Sequence, residues 1–285
     1  MGEKGKMIAI TGTGSYLPAK VLTNDDLSKM VDTTNEWILT RTGISERRIA
    51  AKDEAASDMG AAAAERAIKS AGLQASEVEL IIVATITPDM VFPNTACFVQ
   101  KKIGATGAFC FDIEAACSGF LYAMETARHM ISGGLVKNAL VIGAEKLSTI
   151  TDWTDRATCV LFGDGAGAVI LQAVEGSNGI KSSSMGSDGE LAELLMMPGG
   201  GSRHPASRET VDARLHFMKM TGREVFKHAV RCMTDASLKA LEKSGVRLED
   251  ISCIIPHQAN MRIIQAIAER MGVSLDKFFL NLRLK

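Results

Sequence analysis

Two segments of the sequence, 173 positions apart, follow the same course. Ala67-Ile68-Lys69-Ser70-Ala71-Gly72-Leu73 continues to Glu77-Val78-Glu79-Leu80-Ile81-Ile82-Val83, and Ala240-Leu241-Glu242-Lys243-Ser244-Gly245-Val246 continues to Asp250-Ile251-Ser252-Cys253-Ile254-Ile255-Pro256. Ala, Gly and two Ile residues are identical at matched positions, and charged or apolar character is largely kept elsewhere. Each copy reads as a helix, a glycine stop, an acidic turn and a buried strand. Two Ala-rich helices match by period alone, but period does not carry a match without a gap through a turn and into a strand. The gapless match favours duplication over chance similarity, and a duplicated helix-strand unit implies an α/β fold of two related halves.

Other strand candidates surround the first copy: Met7 to Ile10, Leu80 to Thr85, Gly107 to Ile113, Ala139 to Gly143 and Gly167 to Leu171. Helix formers fill Ser57 to Ser70 and Gly119 to Ile131, with Gly72 and Gly133 at C-cap positions. Val21 to Ala51 and Met185 to Arg214 read as loops. The expected halves are 1–174 and 175–285. After its strand the second copy runs through a loop and a helix to Met271-Gly272, then an apolar strand Phe278-Phe279-Leu280. The elements that follow Cys117 in the first half have no counterpart, so the second half is expected to lack its last elements.

Composition narrows the function. The 285 residues are 46% hydrophobic and 23% charged, and 32 basic against 33 acidic groups leave a net charge of −1, so no basic field invites nucleic acid. No apolar run reaches the ~18 residues of a membrane span, and the N-terminus lacks a signal-peptide pattern; a soluble, cytoplasmic protein is expected. Six cysteines without a Cys-x-x-Cys pair argue against both a zinc site and a secreted disulfide framework.

Cys117 stands between a strand and the apolar helix that begins Gly119-Phe120-Leu121. At that position helix N–H groups and the positive end of the macrodipole favour a nucleophilic thiolate, and the small neighbours Ala115, Ala116, Ser118 and Gly119 admit a substrate. A buried, inert cysteine is the competing reading. His257 follows the second copy's strand in Pro256-His257-Gln258-Ala259-Asn260-Met261-Arg262, where α/β proteins place their sites and where an imidazole donates to an oxyanion or moves a proton. His129, His204, His216 and His228 lack such polar companions.

Four segments together, Asp112 to Phe120, Pro256 to Arg262, Glu36-Trp37-Ile38-Leu39-Thr40-Arg41-Thr42-Gly43-Ile44 and Phe162-Gly163-Asp164-Gly165-Ala166-Gly167-Ala168, resemble β-ketoacyl-acyl-carrier-protein synthase III, the initiating condensing enzyme of bacterial fatty-acid synthesis. The resemblance implies a thiolase-like fold, two duplicated halves in a five-layered α/β/α/β/α arrangement. It also implies a decarboxylative Claisen condensation of acetyl-CoA, or another short acyl-CoA, with malonyl-acyl-carrier protein through an acyl-Cys117 intermediate. Cys117 is then the nucleophile, and His257 stabilises the enolate oxygen. The family's third group, an asparagine in a Gly-Asn-Thr-Ser motif, has no match; Asn281 belongs to the strand before it and Asn260 to the segment near the pantetheine arm.

The same resemblance assigns Trp37 and Arg41 to the adenine of coenzyme A, Arg156 to its adenine and phosphate end, and Phe226 and Asn260 to the pantetheine tunnel. Positive charge around the second-half entrance, at Arg262 ahead of Arg223 and Lys227, suits an acidic carrier protein. Phe92 corresponds to a residue that crosses a homodimer interface to close the partner's acyl pocket. Helix spacing alone places Trp37 and Arg41 on one face, where a core tryptophan beside a solvated arginine is the plainer reading. No metal and no bound cofactor are implied, acetyl-CoA being a substrate. Two alternatives stand beside this reading: a truncated, weakly active or inactive acyl-CoA-binding variant of the fold, and another thiolase-fold condensing enzyme. The Gly163 to Ala168 run and Gly12-Thr13-Gly14 fail the phosphate-loop and dinucleotide patterns, and the former reads as a tight backbone approach.

Overall fold

The computed structural model describes residues 6–282. In chain order the elements are β1 (Lys6–Tyr16), β2 (Lys20–Thr23), α1 (Asn24–Leu27), α2 (Asn35–Thr42), β3 (Glu46–Ile49), α3 (Ala56–Ser70), β4 (Leu80–Ala84), α4 (Thr95–Ile103) and β5 (Phe109–Ile113). They continue with α5 (Gly119–Ser132), β6 (Asn138–Lys146), α6 (Arg156–Cys159), β7 (Asp164–Glu175), β8 (Leu195–Met196), α7 (Arg208–Asp212), β9 (Lys219–Met220), α8 (Gly222–Ser244) and α9 (Met261–Met271). Two compact units interleave along the chain. The first combines residues up to 20 with 48–146 and 164–183; the second combines 21–47, 147–163 and 184 onward.

The first unit is built on a five-stranded sheet in the order β1-β7-β6-β4-β5. β4 runs parallel to β5 and β6, whereas β7 is antiparallel to β6 and β1. All five residues of β4 are buried, as its unbroken apolar run predicts for a strand covered on both faces. Alternation divides them: Ile81 and Val83 meet Met59, Ala63 and Ala67 of α3 and Val99 of α4, while Leu80, Ile82 and Ala84 meet Ala123, Ala127 and Ile131 of α5. Gly12 and Gly14 of β1 lie directly under α3, where a Cβ would strike the backbone at Ala67 and Ala63. This close approach explains the pair without a nucleotide, and alanine at either place costs on the order of 1–3 kcal/mol through overpacking.

In the second unit Ile263, Ile264, Ile267 and Met271 of α9 pack with Ile44, Phe278 and Leu282, and Phe226, Val230 and Met233 of α8 lie against them. A neighbouring cluster joins Leu27, Ile38, Cys159 and Val160, with Trp37 and Trp153 partly buried beside it. The expected loop 21–51 therefore contains α1, α2, β2 and β3, and 185–214 contains α7 and β8. Short capped turns, rather than apolar periodicity, hold these pieces: Thr23, Thr34 and Ser207 each accept from a backbone N–H in the first turn.

The two repeat copies follow one local course. Gly72 and Gly245 end α3 and α8 with φ near +70° and +69°, and 3-10 turns follow at Ala75–Glu77 and Leu248–Asp250. Asn94 caps α4 and Asn260 caps α9, each accepting from the N–H three residues on. Left-handed Gly104 and Gly272 close these helices. The copies differ in their strands. Ile81 sits in a ladder with Cys110, but Ile254 meets Phe278 in a single parallel bridge, and Ile255 is 76% exposed. Among the described residues the expected buried strands at 251–255 and 278–280 are thus reduced to one pairing. Pro256 has no N–H to extend it, and the side-chain amide of Gln258 takes the Phe279 carbonyl at 3.0 Å.

Candidate active site

β4, β5 and β6 are parallel, so their carboxyl ends open on one edge of the sheet, the usual place for an α/β site. Cys117 stands there. The chain leaves β5 at Ile113, makes a 3-10 turn over Ala116–Ser118 and enters α5 at Gly119. Ala116, in the turn that carries Cys117, has φ +43°, a left-handed conformation that costs an L-residue about 1–2 kcal/mol. Cys117 is exposed. Behind it the packing at Gly119 is tight: a Cβ there would come 3.2 Å from the Ala84 Cβ, so one of the two would have to shift by a few tenths of an ångström. Cys232 and Cys253 are exposed as well but do not follow a strand of this sheet edge, whereas Cys159 and Cys110 fit structural roles better. Burial pushes Cys159 up to about 11 and Cys110 up to about 12, the latter with its sulfur 3.4 Å from that of Cys97.

Beside Cys117's strand, the 85–93 connection leaves β4. Thr85 N–H donates to the Ile113 carbonyl at 3.2 Å, tying the two strand ends together. Phe92 is 82% exposed near the tip of this connection, next to Val91 and Met90. Asp89 anchors the tip by accepting from the Ser57 N–H at 2.9 Å and hydroxyl at 2.6 Å. Glu145, which the sequence reading missed, accepts at the base from Ile86 N–H at 2.9 Å and Thr87 hydroxyl at 2.6 Å. In the Gly163 to Ala168 run, Asp164 accepts from Ala50 N–H at 2.7 Å and Gly165 approaches the Tyr16 carbonyl.

The remaining candidates lie in the second unit. Trp37 and Arg41 share a face of α2, with the guanidinium carbon 5.9 Å from the indole centroid. Arg156, at the start of α6, approaches the same ring more closely, at 5.0 Å, and donates to the Asp32 carbonyl at 2.9 Å. A half-buried indole flanked by two exposed guanidinium groups suits a flat heteroaromatic carrying phosphate.

Behind this surface Arg47 is wholly buried. It donates to the Leu22 carbonyl at 3.1 Å, Asn24 Oδ1 at 2.9 Å and the Val160 carbonyl at 3.2 Å. Asn24 in turn donates to Asn35 Oδ1 at the start of α2. Burial lowers Arg47 to about 10, which leaves it charged at neutral pH. Arg47 was hidden in the sequence because its partners are mostly main-chain carbonyls.

His257 is exposed in the turn before α9. Gln258 fixes that turn, donating to the Pro256 and Phe279 carbonyls at 3.1 and 3.0 Å and accepting from Asn281 N–H at 3.2 Å. Asn260 spends its Oδ1 on the Ile263 N–H as the α9 cap. Arg262 lies 6.0 Å over the Phe226 ring, so these two assigned residues meet across α8 and α9. Lys227 faces Glu224 of its own helix at 4.0 Å. Among the described residues no group of three or more His, Cys, Asp or Glu is placed to hold a metal, and no helix is long and apolar enough to cross a membrane.

A family profile described as 3-oxoacyl-(acyl-carrier-protein (ACP)) synthase III matches residues 111–189, the segment containing Cys117, and its C-terminal counterpart matches 241–284, containing His257. A curated relative from Desulfitobacterium hafniense (strain DSM 10664 / DCB-2), named beta-ketoacyl-(acyl-carrier-protein) synthase III, is 54% identical over 275 residues, covering 96% of this chain and 83% of the relative. The chain belongs to the β-ketoacyl-acyl-carrier-protein synthase III family. A relative of the same name from Caldanaerobacter subterraneus subsp. tengcongensis is also 54% identical, over 96% of this chain and 82% of its own length. The crystal structure of 3-oxoacyl-(acyl-carrier-protein) synthase III from Aquifex aeolicus VF5 superposes with a TM-score of 0.88 at 50% identity, over 97% of this chain and 85% of that one. The chain is accordingly a condensing acyltransferase with the thiolase-like α/β fold.

Proposed function

We propose that this family member condenses acetyl-CoA, or another short acyl-CoA, with malonyl-acyl-carrier protein to give a 3-oxoacyl-acyl-carrier protein. The observation that carries the assignment is Cys117, exposed after a left-handed residue at the strand edge and ahead of a fourteen-residue helix. The positive end of that helix favours negative charge nearby. The Cys117 sulfur attacks the acyl-CoA carbonyl; a C–S bond forms and the coenzyme A thiolate leaves. Malonyl thioester then loses carbon dioxide, and the carbon left as enolate attacks the acyl-Cys117 carbonyl. A C–C bond forms, the C–S bond breaks and the Cys117 thiolate returns.

His257 donates to the enolate oxygen while the negative charge rests there, a contribution worth about 10²-fold or more in rate. Trp37, Arg41 and Arg156 hold the adenine end of coenzyme A. Phe226 and Asn260 line the path of the pantetheine arm, and Arg262 receives the acidic carrier protein. Decarboxylation itself supplies the carbanion, so the proposed reaction calls for no resident cofactor or metal. The proposal extends to a cytoplasmic homodimer in which Phe92 closes the partner's acyl pocket, and to duplicated halves at 1–174 and 175–285. The dimer draws support from the exposed Met90, Val91 and Phe92 and from Phe109 on the sheet's edge strand.

Incubation with acetyl-CoA followed by intact-protein mass spectrometry tests the nucleophile. One acetyl adduct is expected, absent in Cys117→Ser. Labelling that survives this substitution defeats the assignment.

A further inference from the structure

The first repeat copy differs from the second in its connection after the strand. From Ala84 to the helix cap Asn94 it spends nine residues, 85–93, whereas from the matching His257 to the cap Asn260 the second copy spends two. The fold closes the same helix without the longer connection, so its extra length serves something else. Long ordered connections beside a site are characteristically functional. At its base one carboxylate gathers this connection, with Thr85 and Thr87 side chains completing the network.

Glu145, at the end of β6, reaches across to that base. Its Oε1 accepts from Ile86 N–H at 2.9 Å, and its Oε2 accepts from the Thr87 hydroxyl at 2.6 Å and, more weakly, from the Thr85 hydroxyl at 3.4 Å. The threonines are themselves engaged: Thr87 N–H donates to the Thr85 oxygen at 3.0 Å, and Lys146 N–H donates to the Thr87 oxygen at 2.8 Å. Thr85 and Thr87 are buried, at 6% and 9% exposure. Burial raises the pKa of Glu145 against the pull of those hydrogen bonds, as expected of a carboxyl placed where water is scarce. Because Thr85 N–H also donates to the Ile113 carbonyl, the clamped residues 85–87 adjoin the end of the strand that leads to Cys117.

We propose that Glu145 is a positioning residue for acyl-group selection: by fixing residues 85–87 it sets the path of the connection to Phe92 and so the length of acyl group that Cys117 accepts. The proposal deepens the reading of Phe92 as an acyl-pocket residue and rests on it. Nothing in the chemistry of the reaction requires a carboxylate at this place, which separates selection from bond making. A positioning role predicts a changed ratio between substrates, whereas a purely structural role lowers stability and all rates together.

The test compares kcat/KM for acetyl-CoA and hexanoyl-CoA, with thermal unfolding alongside, in Glu145→Ala, Glu145→Gln, Thr87→Val and Phe92→Ala. Glu145→Ala and Thr87→Val are expected to shift the acetyl-to-hexanoyl ratio about fivefold or more in the same direction. Glu145→Gln, which keeps an acceptor for Ile86, should stay within about twofold of the parent. Thr87→Val is nearly isosteric and guards against a Glu145→Ala protein that does not fold. If Phe92→Ala shifts the ratio while Glu145→Ala and Thr87→Val leave it unchanged, the Glu145 proposal is overturned and the Phe92 reading stands. A shift with the Glu145 and Thr87 variants but none with Phe92→Ala rejects Phe92 and keeps Glu145, acting through the loop backbone. No shift in any variant defeats both.

Discussion

The guanidinium carbon of Arg156 lies 5.0 Å from the indole centroid of Trp37, nearer than that of Arg41, which shares a helix with the ring. The two residues come from α2 and α6, which meet through the cluster of Leu27, Ile38, Cys159 and Val160. An aromatic face with a cation beside it gives adenine a stacking surface and a phosphate its counter-charge. Trp37→Ala is therefore expected to raise the KM for acetyl-CoA about tenfold while kcat stays within about twofold, since the adenine is remote from the reacting carbonyl. Arg156→Ala should act in the same direction, and the double variant should lose less than the sum of the two. Steady-state kinetics check this; a drop in kcat at unchanged KM contradicts it.

Arg47 links the two elements that make this surface. Its hydrogen bonds reach Val160, at the end of α6, and, through Asn24, Asn35 at the start of α2. Arg47→Met keeps the volume but leaves the Leu22 carbonyl, the buried Val160 carbonyl and the buried Asn24 amide oxygen without their donor. A loss of about 3 kcal/mol in urea unfolding is expected. The surviving folded protein should bind acetyl-CoA more weakly than Arg47→Lys, which retains a cation. Equal stability of Arg47→Met and the parent would show that these bonds contribute nothing net.

What the sequence revealed and concealed follows the physics of each signal. β4 was legible because a strand buried on both faces must be apolar throughout, and the Trp37 and Arg41 pairing because helical spacing fixes which side chains share a face. The turn at Cys117 was legible as strand, small residues and helix, but the left-handed backbone of Ala116 was not, since alanine carries no mark of it. Arg156 could not be joined to Trp37 from spacing, because tertiary packing sets that contact. Glu145, Arg47 and Gln258 act on main-chain groups, which every residue possesses, so no partner pattern announces them. The second-copy strand was overread: apolar composition at Ile254 and Ile255 resembles β4, but among the described residues only one pairing forms.

A pH effect is expected from Asp152, which is 5% exposed. Burial pushes its carboxyl up, but the Thr154 hydroxyl and N–H and the Arg214 guanidinium outweigh it, holding the pKa at about 2 against the ordinary 3.8. A depressed folded-state pKa contributes stability that is present in full well above 3.8 and is lost as pH falls from there through about 2. Arg214 is about half exposed, so solvent screens its share, and Arg214→Ala should cost about 1 kcal/mol at neutral pH. The gap between variant and parent in denaturant unfolding should narrow as pH is lowered through that window. A gap that stays constant with pH would assign the loss to packing on Phe217 instead.

Gln258 offers a way to separate the two half-reactions. Its amide spans the turn that carries His257, binding the Pro256 and Phe279 carbonyls and the Asn281 N–H. In the proposed reaction acyl transfer to Cys117 makes no use of an enolate, whereas condensation passes through one, so a donor acting on that oxygen should matter only in the second step. His257→Ala is expected to keep acetylation of Cys117, measured by intact mass, and to lower the condensation rate about 10²-fold or more. Gln258→Ala removes no donor to the enolate but loosens the turn, and a displacement of an ångström or less in a preorganised donor should reduce condensation about tenfold, with acetylation again preserved. Gln258→Glu, which lacks the N–H groups for the two carbonyls, should resemble Gln258→Ala. If instead acetylation and condensation fall together, Gln258 supports the second unit as a whole and has no specific part in orienting His257.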